Sequence, residues 1–170
     1  MQNQRIRNNI LIDTIINPNY YMSINEYNHI GGDKLDLIEI FKALGDENRI
    51  RILNLLIRQE LCVCEIETLL DMTQSNASRH LNKLKSAGVI TSEKKSQWVY
   101  YRVDNKFIEE NNLLYEFIKN KMDENTQLLK DVERFKKYKN SNFTCEQLRE
   151  DKSQVLKYLQ GQCEKTKNEN

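Results

Sequence analysis

Two of the four cysteines stand almost side by side, as Cys62-Val63-Cys64, and the other two lie far downstream at Cys145 and Cys163. Thiols so placed have three uses. Thiolate sulfur selects Cu(I), Zn(II), Cd(II), Pb(II) and arsenite-like ions. Two cysteines are too few for a closed site of four thiolates, whereas trivalent As(III) or Sb(III) needs only two or three. The same thiols could instead form a redox switch answering oxidants or persulfides, within the pair or with Cys145 or Cys163. The third use is plain packing, since free Cys often serves as a small buried apolar side chain. The pair itself is too close for an easy unstrained bridge, and metal or redox chemistry is expected ahead of structural disulfides.

The pair opens the stretch from Glu60 to Gly88, which holds two short helical patterns joined by the tight link Asp71-Met72 and followed by a hairpin. Thr73 is a candidate N-cap and Gly88 a candidate C′ residue, so the spacing predicts a helix over about 74–87. Ala77, Leu81 and Leu84 recur at helical spacing and face inward. Ser75, Ser78, Arg79, Asn82 and Lys85 are left on the opposite side. Two helices and a short turn, the second exposing small polar groups and an arginine, make the helix-turn-helix arrangement that fits a major groove. Ligand chemistry and DNA reading are therefore expected to be neighbours.

The segments KALGDENRIRILNLL, ELCVCEI, TQSNASRHLNKLKSAGVI and WVYYRV, in that order over about 36–104, resemble successive signatures of the ArsR/SmtB family of metalloregulatory repressors. The resemblance implies a mostly α fold with a small β-hairpin: a dimeric winged helix-turn-helix, here with a long C-terminal helical extension. It implies a DNA-binding repressor on a palindromic operator, released when As(III) or Sb(III) is bound by Cys62 and Cys64. Arsenical-sensing members of the three-cysteine type have a further cysteine three residues on, where this chain has Glu67, so a third sulfur comes from Cys145 or Cys163, in the same chain or the partner, or is absent. Relatives that sense Cd(II) or Pb(II) add cysteines from an N-terminal arm, and this arm has none. Zinc-sensing relatives use an Asp-x-His pair, and here Asp104 is followed two residues on by Lys106.

The surrounding elements are read as follows. Residues 1–32 form an N-terminal arm, with Arg5 and Arg7 as solvated charges and His29 exposed. Residues 33–104 make the DNA-binding domain. Its first helix, ending at Gly45, uses Leu37, Ile38, Ile40, Phe41 and Leu44, and Asp46 caps a second over about 47–58 with Ile50, Leu53, Leu56 and Ile57 inward. Arg49 and Arg51 read as surface charges. Segments 89–94 and 98–103 form a two-stranded wing around Lys95-Ser96-Gln97, without the glycine usual at such a tip. Trp98, Tyr100 and Tyr101 read as sheet packing. Residues 105–139, free of Gly and Pro, read as one dimerisation helix with Phe107, Leu114, Ile118, Met122, Leu129, Val132 and Phe135 on a drifting face. Residues 140–170 form the extension, with one helix over about 144–160. Unbroken, that helix would hold Cys145 and Cys163 roughly 27 Å apart.

The expected DNA face comprises Gln74, Ser75, Asn76, Ser78, Arg79, His80, Asn82, Lys83 and Lys85 on the reading helix, with Lys94, Lys95 and Arg102 of the wing on phosphates. His80 reads as a packing or phosphate-contacting residue rather than a metal ligand. Net charge is only +1, with 26 basic and 25 acidic residues, so the cations matter by where they cluster. No apolar run approaches the roughly 20 residues of a membrane span, and no secretory signal pattern opens the chain. A cytoplasmic protein is expected, without organic cofactor. An enzyme is disfavoured, because the chain shows no Gly-rich phosphate loop, no nucleophile at a strand-to-helix turn and no paired catalytic motif.

On an ideal helix, residues two apart are rotated by about 200°. Cys62 and Cys64 could not then grip one ion while their turn stayed helical, so ligand binding is expected to unwind or shift the start of the first helix of the pair.

Overall fold

The computed structural model of the chain describes residues 37–161. The expected N-terminal arm, with Arg5, Arg7 and His29, and Cys163 at the other end lie outside them. Helix α1 (Leu37–Leu44) stops at Gly45, and the Asp46 carboxylate accepts the Arg49 N–H at 3.0 Å to cap α2 (Glu47–Leu56). Arg49 then donates from its guanidinium to the Ala43 carbonyl and, at 2.9 Å, to that of Lys42, fixing the α1–α2 corner.

Next come β1 (Leu61–Cys62), α3 (Val63–Leu69) and α4 (Gln74–Ser86). The turn between the helices passes through Asp71 at φ 53, a left-handed conformation that short Asp side chains tolerate. Thr73 caps α4 by accepting the Asn76 N–H at 3.3 Å, and Gly88 at φ 68 ends it, as its place in the sequence predicts. Ala77, Leu81 and Leu84 are fully buried under α4, against a core that includes Ile52, Leu53, Leu55, Ile66 and Leu69.

The wing is β2 (Ile90–Lys95) antiparallel to β3 (Trp98–Val103), with Lys95 opposite Trp98 so that Ser96-Gln97 is a two-residue loop. Ser96 takes φ 55, supplying the positive φ for which such turns favour glycine. The expected hairpin is in fact a three-stranded sheet of order β1-β3-β2, because Leu61 and Cys62 pair with Tyr101 and Tyr100. A two-residue strand carries no alternation long enough to be read beforehand.

The segment 105–139 is three helices, α5 (Asn105–Glu110), α6 (Asn112–Met122) and α7 (Thr126–Lys139), and not the single dimerisation helix that its lack of Gly and Pro suggests. Asx side chains mark the break between α6 and α7. Asn125 accepts the N–H groups of Gln127 at 2.9 Å and Leu128 at 3.1 Å, capping α7, while Asp123 pairs with Arg58 at 3.0 Å. The reversal slips the apolar phase by one residue, so Leu128 is buried and Leu129 exposed.

Helix α7 packs on its own domain. Asn54 donates to the Leu128 carbonyl at 3.0 Å, and Arg51, expected as a surface charge, forks onto Asp131 at 2.7 and 2.8 Å, with that carboxylate 1% exposed. The fork lifts the Arg51 pKa further above its ordinary value. Apolar side chains left in the open are Leu37, Ile38 and Phe41 on α1 and Leu113 (88% exposed) and Phe117 (60%) on α6.

The extension is also divided, into α8 (Cys145–Glu150) and α9 (Lys152–Leu159), because Asp151 leaves the helical conformation and caps α9 by accepting the Gln154 N–H at 3.0 Å. The two lie against α3 and bury Leu148, Val155 and Leu159. No helix among the described residues is long and apolar enough to cross a membrane.

Candidate thiol site and nucleic-acid interface

Cys62 ends β1 and is the N-cap of α3, at φ −82 and ψ 165, so its backbone is extended. Its pairing with Tyr100 across the sheet and its N–H bond to Glu65 Oε2 at 2.8 Å hold it there. Only Cys64 lies within the helix. The rotation argument for two cysteines on one helical turn therefore does not apply, since one of the pair belongs to a strand.

The nearest partner of the Cys62 sulfur is Cys145, whose Sγ lies 3.1 Å away at the start of α8. Thr144 sets it there through a capping box: its hydroxyl accepts the Gln147 N–H at 3.4 Å, and the Gln147 side-chain Oε1 accepts the Thr144 N–H at 3.0 Å. Among the described residues, the group whose ligand atoms all lie within 4.8 Å of one another is Cys62, Glu65 and Cys145. Cys64 is buried beside it without belonging to it.

The two sulfurs titrate as a pair. The hydrogen bond to Cys145, aided by burial, pushes the Cys62 thiol up. The same bond brings Cys145 below its ordinary value, with help from Tyr100 and the Lys139 ammonium. Cys145 is therefore the more readily ionised thiol of the pair and Cys62 the less readily ionised one. Burial raises Cys64 as well. The wall is polar and aromatic. Glu65, 5% exposed, takes the Lys139 ammonium on Oε1 at 3.3 Å. Burial pushes the Tyr138 hydroxyl above its usual range, with Glu65 adding to the effect, and burial lifts Tyr100 to about 12, with Cys145 adding.

The extension reaches one step further. Lys152 donates to the Met72 carbonyl, inside the turn between α3 and α4, at 2.8 Å. One short segment thus touches both the thiols and the helix-turn-helix turn.

The outer face of α4 is open and polar, and Ser75, Ser78, Arg79, Asn82, Lys83 and Ser86 line a shallow groove along it. Arg79 is steadied by Asn76 Oδ1 at 2.8 Å, and Lys85 reaches Ser92 of the wing at 2.7 Å. Gln74, Lys94 and Arg102 are exposed. His80 corrects the expected face: it is buried behind α4, with Nδ1 3.4 Å from Asp46, because its position follows the inward stripe. Lys95 is exposed but engaged by Glu60 at 2.5 Å.

Of the expected third sulfurs, Cys145 meets Cys62, and Cys163 lies outside the described residues. The sequence reading passed over Glu65, Tyr138, Lys139, Lys152 and Ser86. Glu65 alone carried a signal, three residues after the N-cap where a capping box puts its acid.

A model described as bacterial regulatory protein, arsR family, matches residues 46–92. An arsenic resistance transcriptional regulator of Pseudomonas putida is 46% identical over 65 residues, 38% of this chain and 51% of that protein. A cadmium resistance transcriptional regulatory protein of Listeria innocua is 46% identical over 66 residues, 38% of this chain and 56% of that one. The arsenical resistance operon repressor of Bacillus subtilis is 42% identical over 77 residues, 45% of this chain and 71% of that one. The chain thus spans about half the length of the first two relatives. These relatives are transcriptional regulators, not enzymes.

Proposed function

Because this chain belongs to the arsR family of bacterial regulatory proteins, we propose that it is a homodimeric repressor that leaves a palindromic operator when As(III) or Sb(III) is bound by its thiolates. Cys62 and Cys64 are the core ligands, with Cys145 of the same chain as third sulfur. The observation that carries this reading is the 3.1 Å approach of the Cys145 and Cys62 sulfurs. A trivalent pnictogen takes three thiolates in a pyramid, and Cys64 needs to turn toward that pair to complete it.

The output follows from the neighbours. Cys62 and Cys64 open α3, the first helix of the DNA-binding pair, and Lys152 of the extension holds the turn into α4. Drawing the three sulfurs onto one ion pulls α8 and the start of α3 together, and α4 moves with them. A coupling of about 1–3 kcal/mol is enough to change operator occupancy. Gln74, Ser75, Asn76, Ser78, Arg79, Asn82, Lys83 and Lys85 face the groove, with Lys94 and Arg102 on phosphates. The open apolar faces of α1 and α6 suit a second copy, and two reading helices about 34 Å apart match successive major-groove faces.

The same sulfur approach favours one other reading. An oxidant that removes two electrons and two protons joins Cys62 and Cys145 as a disulfide, and the protein is then a redox-responsive repressor. The test is a titration of the reduced protein on a duplex selected by binding from a random pool, with arsenite and antimonite as ligands. Release by arsenite under full reduction, lost in Cys62→Ser and weakened in Cys64→Ser and Cys145→Ser, supports the metalloid reading. Release only on oxidation supports the disulfide.

A further inference from the structure

We propose that Glu60 is a positioning residue for the wing: its carboxylate holds the Lys95 ammonium, across the ring of Tyr100, and so keeps that lysine from a DNA phosphate. The inference rests on the reading of α4 and the wing as the DNA face, and it adds to that face an anion that restrains it. The sheet order β1-β3-β2 places β3 between the two charged groups. Cys62 is directly opposite Tyr100, and Lys95 is opposite Trp98, two residues before Tyr100. Side chains two apart on a strand share a face, so Cys62, Trp98, Tyr100 and Lys95 stand on one side of the sheet. Glu60, just before β1, reaches the same side.

The Lys95 stem crosses that side from β2. Its ammonium lies 5.4 Å from the centre of the Tyr100 ring and 2.5 Å from Glu60 Oε2. The ring supports the ammonium where the carboxylate takes it. Glu93 is the weaker partner, 4.0 Å from the same nitrogen with its side chain 65% exposed, against 26% for Glu60.

An exposed ion pair ordinarily adds little to stability. This one matters through what it occupies. Lys95 stands immediately before the two-residue loop Ser96-Gln97, at the tip of the wing. A lysine at such a tip meets phosphate as a point charge on a flexible stem. The ammonium cannot neutralise a phosphate while it neutralises Glu60, and a Glu60 carboxylate left bare beside the duplex repels it. The wing therefore binds with Lys95 kept back, and Lys94 and Arg102 supply its phosphate contacts.

The experiment measures binding of the full reduced chain, without inducer, to the duplex selected from a random pool, by fluorescence anisotropy over a range of salt. Glu60→Gln should bind about three- to tenfold more tightly at low salt, with a salt slope steeper by close to one, the signature of one added phosphate contact. Lys95→Gln alone should change affinity by less than about twofold. The double variant Glu60→Gln/Lys95→Gln should lose the gain in both affinity and slope, and Glu93→Gln should gain less than about twofold.

An unchanged or weakened Glu60→Gln would overturn the proposal. So would a gain that survives in the double variant, which means that removing any negative charge near DNA is enough, or a Lys95→Gln that alone loses a full unit of salt slope, which means that Lys95 already contacts phosphate. Native protein that binds no duplex removes the DNA reading together with this one, whereas native binding with Glu60→Gln unchanged removes this one alone.

Discussion

The outer face of α4 draws Ser75, Ser78, Arg79, Asn82 and Lys83 from one helix, whereas the thiol pocket draws Cys62, Glu65, Tyr100, Tyr138, Lys139 and Cys145 from β1, α3, β3, α7 and α8. The first is a surface presented by a core stripe behind it. The second exists only if the segments after the wing fold back onto the domain. A reading face built on one helix keeps its geometry as long as that helix is packed. A pocket closed by α7 and α8 depends on contacts between residues far apart in the chain, which leaves it free to respond to what it binds.

The largest effect should come from the anchor that brings α7 home. Arg51→Ala leaves the Asp131 carboxylate 1% exposed without its fork, which costs about 3–5 kcal/mol by the usual penalty for an unpaired buried charge. Urea unfolding measures it, and inducer affinity should fall further than DNA affinity because α7 carries Tyr138 and Lys139. Equal losses would show that face and pocket are one cooperative unit, and the contrast would fail.

Next in size, Cys145→Ser should erase most of the roughly 1–3 kcal/mol coupling between inducer and operator while leaving ligand-free DNA affinity within about twofold. Fluorescence anisotropy with and without arsenite reads both. On the other side of the comparison, Arg79→Ala should cost about 1–3 kcal/mol and relax sequence preference, whereas Lys83→Ala should lower the salt slope by about one without changing preference. Arsenite affinity should not move in either. An Arg79→Ala protein that still prefers its selected duplex would remove that side chain from base reading.

The contrast also explains what could be read in advance. The α4 face, its cap at Thr73, its stop at Gly88 and the presence of the hairpin follow from local periodicity and turn chemistry. The pocket does not, because nothing near Cys62 points to a residue 83 positions later. Segment 105–139 misled for a related reason: its second break lies at Asp123 and Asn125, where Asn125 caps the next helix and Asp123 pairs with Arg58, and Gly and Pro are the signals that pattern reading weighs most. Arg51 erred because a charged side chain next to an apolar stripe looks exposed until a partner such as Asp131 is seen behind it, and for His80 the packing alternative held and the phosphate-contacting one did not.

The smallest expected effect lies behind the reading face, at the back of α4. Burial lowers the His80 pKa below its ordinary 6.5, although Asp46 pulls the other way, so the folded state holds the neutral imidazole. In the unfolded chain the ring takes up its proton as pH falls through about 6.5. The contribution of His80 to stability is therefore fully present above that value and declines as pH drops toward the lower folded-state pKa. Denaturation midpoints at about pH 8 and pH 6 should differ in this direction for the native protein, and His80→Gln should flatten the difference. The effect belongs to the packing beneath the reading helix, so Cys145→Ser should leave it untouched. A pH slope that disappears with Cys145 rather than with His80 would mean that the thiol pair, and not the imidazole, governs the stability of α4.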